Sequence, residues 1–346
     1  MSQFDLDGFT IGNHNPCYII AEIGINHNGD IGIAKKLIDA AVEAGANAVK
    51  FQKRNLNEIY QKNIIDDPSL DSQGTEILIG ILKEVEFEEV EFEELFSYCK
   101  NKKITFLCTP WDKTSVDFLD RFNLPAYKIS SADMTNFPLI KYISQKKKPI
   151  IISSGMSTME EIESTIEFIK NEDIPFVLLH CNSTYPSPVE LLNIELIPLL
   201  REKFKVLVGY SGHEMGIIPT VTATNLGAVI VERHITLDKN MEGLDQSASL
   251  EPNEFKKMVE FIRESEKSKG VPIKKMTRGE VLQREILSKS IACSSEIKKG
   301  EIFSEHNLEI KTPARGISPQ FYYKLLGKKA NRDFKIGEFL QMNDLQ

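Results

Sequence analysis

Eight short runs rich in Val, Ile, Phe and Leu recur within residues 18–235, each ending abruptly in polar or ionisable residues and each followed by a helix-like segment. They occupy residues 18–23, 48–51, 105–108, 126–129, 149–152, 176–179, 205–210 and 229–235. Such runs are mostly non-alternating, as expected of parallel strands buried on both faces. Eight strand and helix alternations predict an α/β chain folded as a (β/α)8 TIM barrel. An open doubly wound sheet is the alternative, since it too gathers ligands at the C-terminal ends of its strands. Residues 32–44, 88–100, 114–122, 159–170 and 253–267 show the three- and four-residue apolar spacing of amphipathic helices, with Ser157 and Asn253 placed as start signals before Glu-bearing first turns.

The strand ends carry the chemistry. In order they hold Glu22; Lys50 and Gln52; Thr109; Lys128, Ser130 and Ser131; Ser153 and Ser154; His180 and Asn182; Ser211 and His213; Glu232 and His234. A barrel brings these ends to one face, where active sites of this fold lie. Some strands end in polar residues merely because they reach the surface, but acids, ammonium groups and imidazoles at nearly every end exceed that expectation. His213 and His234 fall on neighbouring strands, so two imidazoles can share one divalent ion, whereas a lone His is more often structural. Glu22 is the candidate acid or base, and Asn26 and His27 are expected to shape the same rim. Lys50 and Lys128, with Ser131, Ser153, Ser211 and the backbone N–H groups of the turns at 153–155 and 211–213, form a candidate cradle for phosphate and carboxylate. A single Lys would more simply balance a carboxylate; two inward ones among serines favour an anion site.

At 346 residues the chain exceeds the roughly 250 typical of such a barrel, leaving room for a small second domain. The strand and helix alternation stops after Gly270, residues 271–288 read as a polar linker, and residues 289–346 read as short β-like pieces. Within them, 297–308 and 334–345 resemble each other, which implies internal pseudo-symmetry. The net charge of -8 argues against a general nucleic-acid binder, so any anionic ligand needs a local pocket. No run approaches a membrane span, and the first ten residues lack the basic and apolar parts of a signal peptide, so a cytoplasmic location is expected. Cys17, Cys99, Cys108, Cys181 and Cys293 form no CxxC pair and read as buried reduced thiols.

The motifs AEIGINHNGD (21–30), VKFQK (49–53), YKISSAD (127–133), PIIISSGM (149–156), LLHCNSTYP (178–186), GYSGHE (209–214), ERHITLDK (232–239) and SASLEP (247–252), in this order, resemble the sialic acid synthase family. That family joins phosphoenolpyruvate to an N-acyl hexosamine aldehyde. The tail resembles the family's antifreeze-like (SAF, β-clip type) domain. The resemblance implies that His213 and His234 bind Mn2+ or Mg2+, and that Lys50, Lys128, Ser131, Ser153, Ser183 and Ser211 grip phosphoenolpyruvate. It also implies that Glu22 is the acid or base, that Tyr185 and Asp245 lie near the hexosamine, and that Gln52, Asp133 and Glu232 fall on active-site positions. Asp133 departs from the Glu of several members. In KTPARG (311–316), Thr312 stands where several members place an Arg that reaches the sugar in a domain-swapped homodimer, and Arg315 is the nearby cation.

The implied reaction is attack of carbon three of phosphoenolpyruvate on the aldehyde, hydration of carbon two with help from the metal or Glu22, and loss of phosphate to leave a nine-carbon 2-keto acid. N-acetylmannosamine is the default acceptor; its 6-phosphate and diacetamido-dideoxy hexoses are alternatives. Several motifs look close to the enzymes that accept the 6-phosphate, whereas the acidic loop 64–74 offers few cations to receive one. An aldolase with Lys50 or Lys128 as a Schiff base and a non-catalytic sugar-binding protein are the readings from other classes.

Overall fold

The computed structural model describes residues 3–70 and 75–345, so residues 71–74 of the acidic loop and Met1 and Ser2 of the N-terminal stretch lie outside the described residues. The chain divides into two units after Gly270. In the first, a hairpin of β1 (Gln3–Leu6) and β2 (Phe9–Gly12) precedes eight parallel strands. These are β3 (Tyr18–Gly24), β4 (Ala48–Lys53), β5 (Thr105–Pro110), β6 (Tyr127–Ile129), β7 (Ile150–Ser153), β8 (Phe176–Cys181), β9 (Leu207–Gly212) and β10 (Ile230–His234). The ladder runs β5-β4-β3-β10-β9-β8-β7-β6, and β10 pairs directly with β3. A nearly closed TIM-like barrel results, with β5 and β6 adjacent at the seam that carries no ladder.

Period-two alternation splits each strand between two apolar cores. Tyr18 and Ile20, Ala48, Leu107, Ile151, Val177 and Leu179, Leu207 and Ile230 fill the barrel interior. Ile19 and Ala21, Val49, Phe106, Ile150 and Ile152, Leu178, Val208 and Val231 face the surrounding helices. Hairpin residues Leu6 and Ile11, both buried, pack into the inner core and stopper its lower end, an element without a forecast in the sequence.

The helices are set by local signals. Ile31–Ala44 starts at Asp30, whose carboxylate accepts from the N–H groups of Gly32 and Ile33, and stops at Gly45, where φ of 83° suits glycine. Two expected start signals shift. Thr158, not Ser157, caps Met159–Lys170, because its hydroxyl accepts from Glu161 N–H while Glu161 reaches back. Glu251, not Asn253, caps Pro252–Lys269 through the same reciprocal pairing with Glu254.

The second unit contains an exposed helix, Arg278–Leu287, and an antiparallel pair, β11 (Ser290–Cys293) with β12 (Leu308–Lys311). Its two similar segments meet at the Ile297 and Phe334 bridge. Each repeats the same local bonds: Lys298 N–H to Glu301 and Ser304 N–H to Asn307 in one, Lys335 N–H to Glu338 and Gln341 N–H to Asp344 in the other.

Candidate active site

The inward column of each strand is apolar below and polar above. Tyr18 and Ile20 are followed by Glu22; Ala48 by Lys50 and Gln52; Leu107 by Thr109; Ala126 by Lys128; Ile151 by Ser153; Leu179 by Cys181 and Ser183; Leu207, past Gly209, by Ser211 and His213; Ile230 by Glu232 and His234. The polar tops, with Ser131, Tyr185 and Asp245 from the loops, line one cavity of about 340 Å³.

Three strand-end residues expected at this mouth lie elsewhere. His180, Asn182 and Ser154 have the outward parity of Leu178 and Ile152. His180 bonds the Leu192 carbonyl at 2.7 Å, Ser154 donates to the Leu179 carbonyl, and Asn182 lines a separate cavity. Asn26 and His27 brace the rim without lining the cavity. Asn26 donates to the Ile235 carbonyl and Ser249, and His27 stacks on Phe87 at 4.1 Å. Asp133 does not line it either; its carboxylate accepts from Ser130 and Asn136 and holds the turn Ser131–Asp133. Arg315 belongs to the second unit, beside Glu285 and Pro313.

At the centre, two carboxylates interleave with two ammonium groups. Lys50 Nζ lies 2.7 Å from Glu22 and 3.7 Å from Glu232, and Lys128 Nζ lies 4.0 Å from Glu232. Thr109 accepts from Lys50 at 3.1 Å and Ser153 from Lys128 at 2.6 Å. Gln52 donates to Glu22 at 2.9 Å, and Ser211 to Glu232 at 3.3 Å. These neighbours push the carboxylates apart. Burial and the Glu232 charge raise Glu22 despite Lys50, whereas Lys128 and Lys50 outweigh burial and lower Glu232. Against the cost of burial, Glu22 and Glu232 hold Lys50 above its ordinary value, while burial brings Lys128 below its own.

The donor set around His213 and His234 fits a cation. His213 Nδ1 lies 2.7 Å from the Asn182 carbonyl oxygen, which fixes the proton there and leaves Nε2 as the electron-pair donor, now facing Tyr185 OH at 2.8 Å. The His234 ring lies 5.5 Å from that of His213, and its buried Nδ1 has no hydrogen-bond partner. Burial lowers His234 to about 4, keeping the imidazole in its neutral, ligating form. Burial opposes a proton on His213, yet Cys181 in its thiolate form and the Asn182 carbonyl outweigh it and raise that pKa, so metal and proton compete for Nε2. Glu232 Oε2 is buried without a hydrogen-bond partner as well. No three His, Cys, Asp or Glu side chains among the described residues form a closed metal site, so water or substrate oxygens would complete the shell of an ion held by two imidazoles.

Continuing the inward parity past the strand ends reveals residues the sequence reading missed. Arg54 follows Lys50 and Gln52, and Trp111 follows Thr109; both line the cavity. Below the serines, Gly155 leaves no room for a side chain, since a Cβ there would meet Ser183 Oγ and come within 2.7 Å of Ser131 Oγ. Gly155→Ala is therefore expected to displace both hydroxyls and cost about 1–3 kcal/mol, to be read by denaturant unfolding; an unchanged midpoint would show that the turn yields freely.

Residues 37–274 match the NeuB family and residues 288–346 the SAF domain. The chain is 40% identical over 330 residues to N,N'-diacetyllegionaminic acid synthase of Campylobacter jejuni, across 93% of this chain and 98% of that protein. It is 37% identical over 325 residues to N-acetylneuraminate-9-phosphate synthase of Homo sapiens, across 93% and 90%. The crystal structure of N-acetylneuraminic acid synthetase from Leptospira borgpetersenii, in complex with citrate, superposes with a TM-score of 0.74 and 33% identity over 82% of this chain and 95% of that one.

Proposed function

The chain belongs to the NeuB family, and from that premise we propose that it condenses phosphoenolpyruvate, an N-acyl hexosamine aldehyde and water into a nine-carbon 2-keto acid and phosphate. N-acetylmannosamine is the default acceptor, with its 6-phosphate and diacetamido-dideoxy hexoses as alternatives. One observation carries the reading: a single cavity joins two buried lysines with hydroxyl partners to a Glu22 carboxyl whose raised pKa suits proton transfer.

Lys50 and Lys128, with Ser153, neutralise the enol phosphate and carboxylate. Glu232 stays ionised between the lysines and offsets their mutual repulsion. Carbon three of phosphoenolpyruvate bonds to the aldehyde carbon, and Glu22 gives its proton to the aldehyde oxygen. The Glu22 carboxylate then takes a proton from the water that adds at carbon two. Breakage of the bond from carbon two to the bridging phosphate oxygen, with the hydroxyl proton passing to the departing phosphate, releases phosphate and leaves the keto group. Mn2+ or Mg2+ held by His213 and His234 belongs to this proposal and, when bound, supplies a Lewis acid for the aldehyde oxygen. Tyr185 and Asp245, beside these imidazoles, contact the hexosamine. The homodimer implied by the resemblance and the sugar contact assigned to Arg315 complete the proposal.

Turnover in heavy-oxygen water tests it. Phosphate should emerge unlabelled, because water enters at carbon; labelled phosphate would mean phosphorus to oxygen cleavage and overturn the mechanism. Borohydride with pyruvate should trap no adduct, since Lys50 is held charged by Glu22 and Glu232 and Lys128 Nζ is engaged by Ser153 and the Ile129 carbonyl; a trapped lysine would restore the aldolase.

A further inference from the structure

The cavity has an outer part that the condensation leaves unused. Lys50, Gln52 and Arg54 climb one face of β4 and its continuation, about 7 Å per step, so Arg54 stands two steps above the lysine that meets the enol phosphate. Arg54 is 5% exposed, and its guanidinium lies 5.2 Å from the centre of the Trp111 ring. It donates to Gln52; of the carboxylates that act on it, Glu86 at 3.9 Å is engaged by Lys53 at 2.9 Å, and Asp245, which lines the same cavity, lies beyond ion-pair distance. Arg54 therefore keeps donor capacity in hand. Beside it, the buried Trp111 Nε1–H has no acceptor at all, a costly state unless a ligand completes it. Ile59, Leu78 and Leu82 supply aliphatic lining to the same cavity.

Two waiting donors in a cavity that also has aliphatic lining suit an uncharged oxygen acceptor that carries an apolar group, which describes an acylated amine. They do not suit a phosphate dianion. Apart from the two lysines, Arg54 is the only Lys or Arg lining the cavity among the described residues, with Glu86 behind it. Residues 71–74 read Asp, Ser, Gln and Gly and add no cation. A dianion would thus be desolvated beside leucines with one shared counter-charge.

Resting on the condensation proposed above, we infer that Arg54, Trp111 and the Ile59, Leu78 and Leu82 side chains form a specificity subsite for a second N-acyl group of the acceptor hexose. The preferred acceptor is then a doubly acylated deoxy hexose, not a phosphorylated one.

The full chain with Mn2+ and phosphoenolpyruvate, assayed for phosphate release, tests this against N-acetylmannosamine, its 6-phosphate and the diacetamido-trideoxy hexose. The diacetamido sugar should give the highest kcat/KM. For that sugar, Trp111→Phe should raise KM about three- to tenfold and Arg54→Met about tenfold or more. KM for phosphoenolpyruvate and for N-acetylmannosamine, which lacks the second acyl group, should move far less, a split that misfolding would not produce. Preference for the 6-phosphate, or equal losses on all acceptors, would overturn the subsite while leaving the synthase reading intact. No release with any acceptor would overturn the synthase reading itself.

Discussion

Glu22→Gln is expected to lower kcat by roughly a hundredfold to ten-thousandfold, the usual worth of a positioned proton-transfer group, with KM for phosphoenolpyruvate nearly unchanged. The amide keeps the shape of the carboxyl but has no acidic proton to give and cannot take one from water. Substrate capture should survive because Lys128 and Ser153 do not depend on Glu22; they bond each other at 2.6 Å. Lys50 loses its 2.7 Å partner but retains Thr109 and the more distant Glu232. Single-turnover mixing with phosphate detection separates binding from chemistry. A variant that keeps more than about a tenth of wild-type kcat would move the proton-transfer role elsewhere in the cavity.

Arg233→Met is expected to destabilise the barrel by about 3–5 kcal/mol, a fall in Tm of roughly 10 °C for a chain of this size. Arg233 and Glu214 are both fully buried, 2.7 Å apart. The guanidinium also donates to the Gly216 carbonyl and Thr220, and Glu214 accepts from Tyr210 and Thr220. Removing the Arg strands a carboxylate in a dry interior, and that penalty exceeds the bond energies lost. Glu214→Gln together with Arg233→Met should recover part of the loss, since the stranded charge disappears. Calorimetry of the three proteins decides; a single variant melting within about 2 °C of wild type would show that water or relaxation reaches the site. Glu214 follows His213 and Arg233 precedes His234 in the chain, so the pair ties together the backbone next to both histidines from the side opposite the cavity that the imidazoles line.

Why the barrel was legible and parts of its mouth were not comes down to parity. Doubly buried strands must be apolar on both faces, so eight such runs stand out against amphipathic helices. The side to which each strand end points is a finer property. Counting by twos from Ile20, Ala48, Leu107 and Ile151 leads to Glu22, Lys50, Thr109 and Ser153, and continuing the count finds Trp111 one step past Thr109 and Arg54 two steps past Lys50. The same count from Leu178 sends His180 outward, which residue type alone hid. Asp133 shows another limit: a short carboxylate in a tight turn satisfies its own loop before it reaches a ligand. Glu214 and Arg233 stood within recognisable motifs, yet nothing in their order announced that they were partners.

The stopper hairpin gives this chain an awkward order of assembly. Phe4, Leu6, Phe9 and Ile11 dock on an inner core that is incomplete until Ile230 has been made, about 220 residues later. At a ribosomal pace of roughly 5–20 residues per second the sticky edge of β1 and β2 waits on the order of ten to forty seconds without its binding surface. During that interval, chaperones and neighbouring nascent chains compete for it.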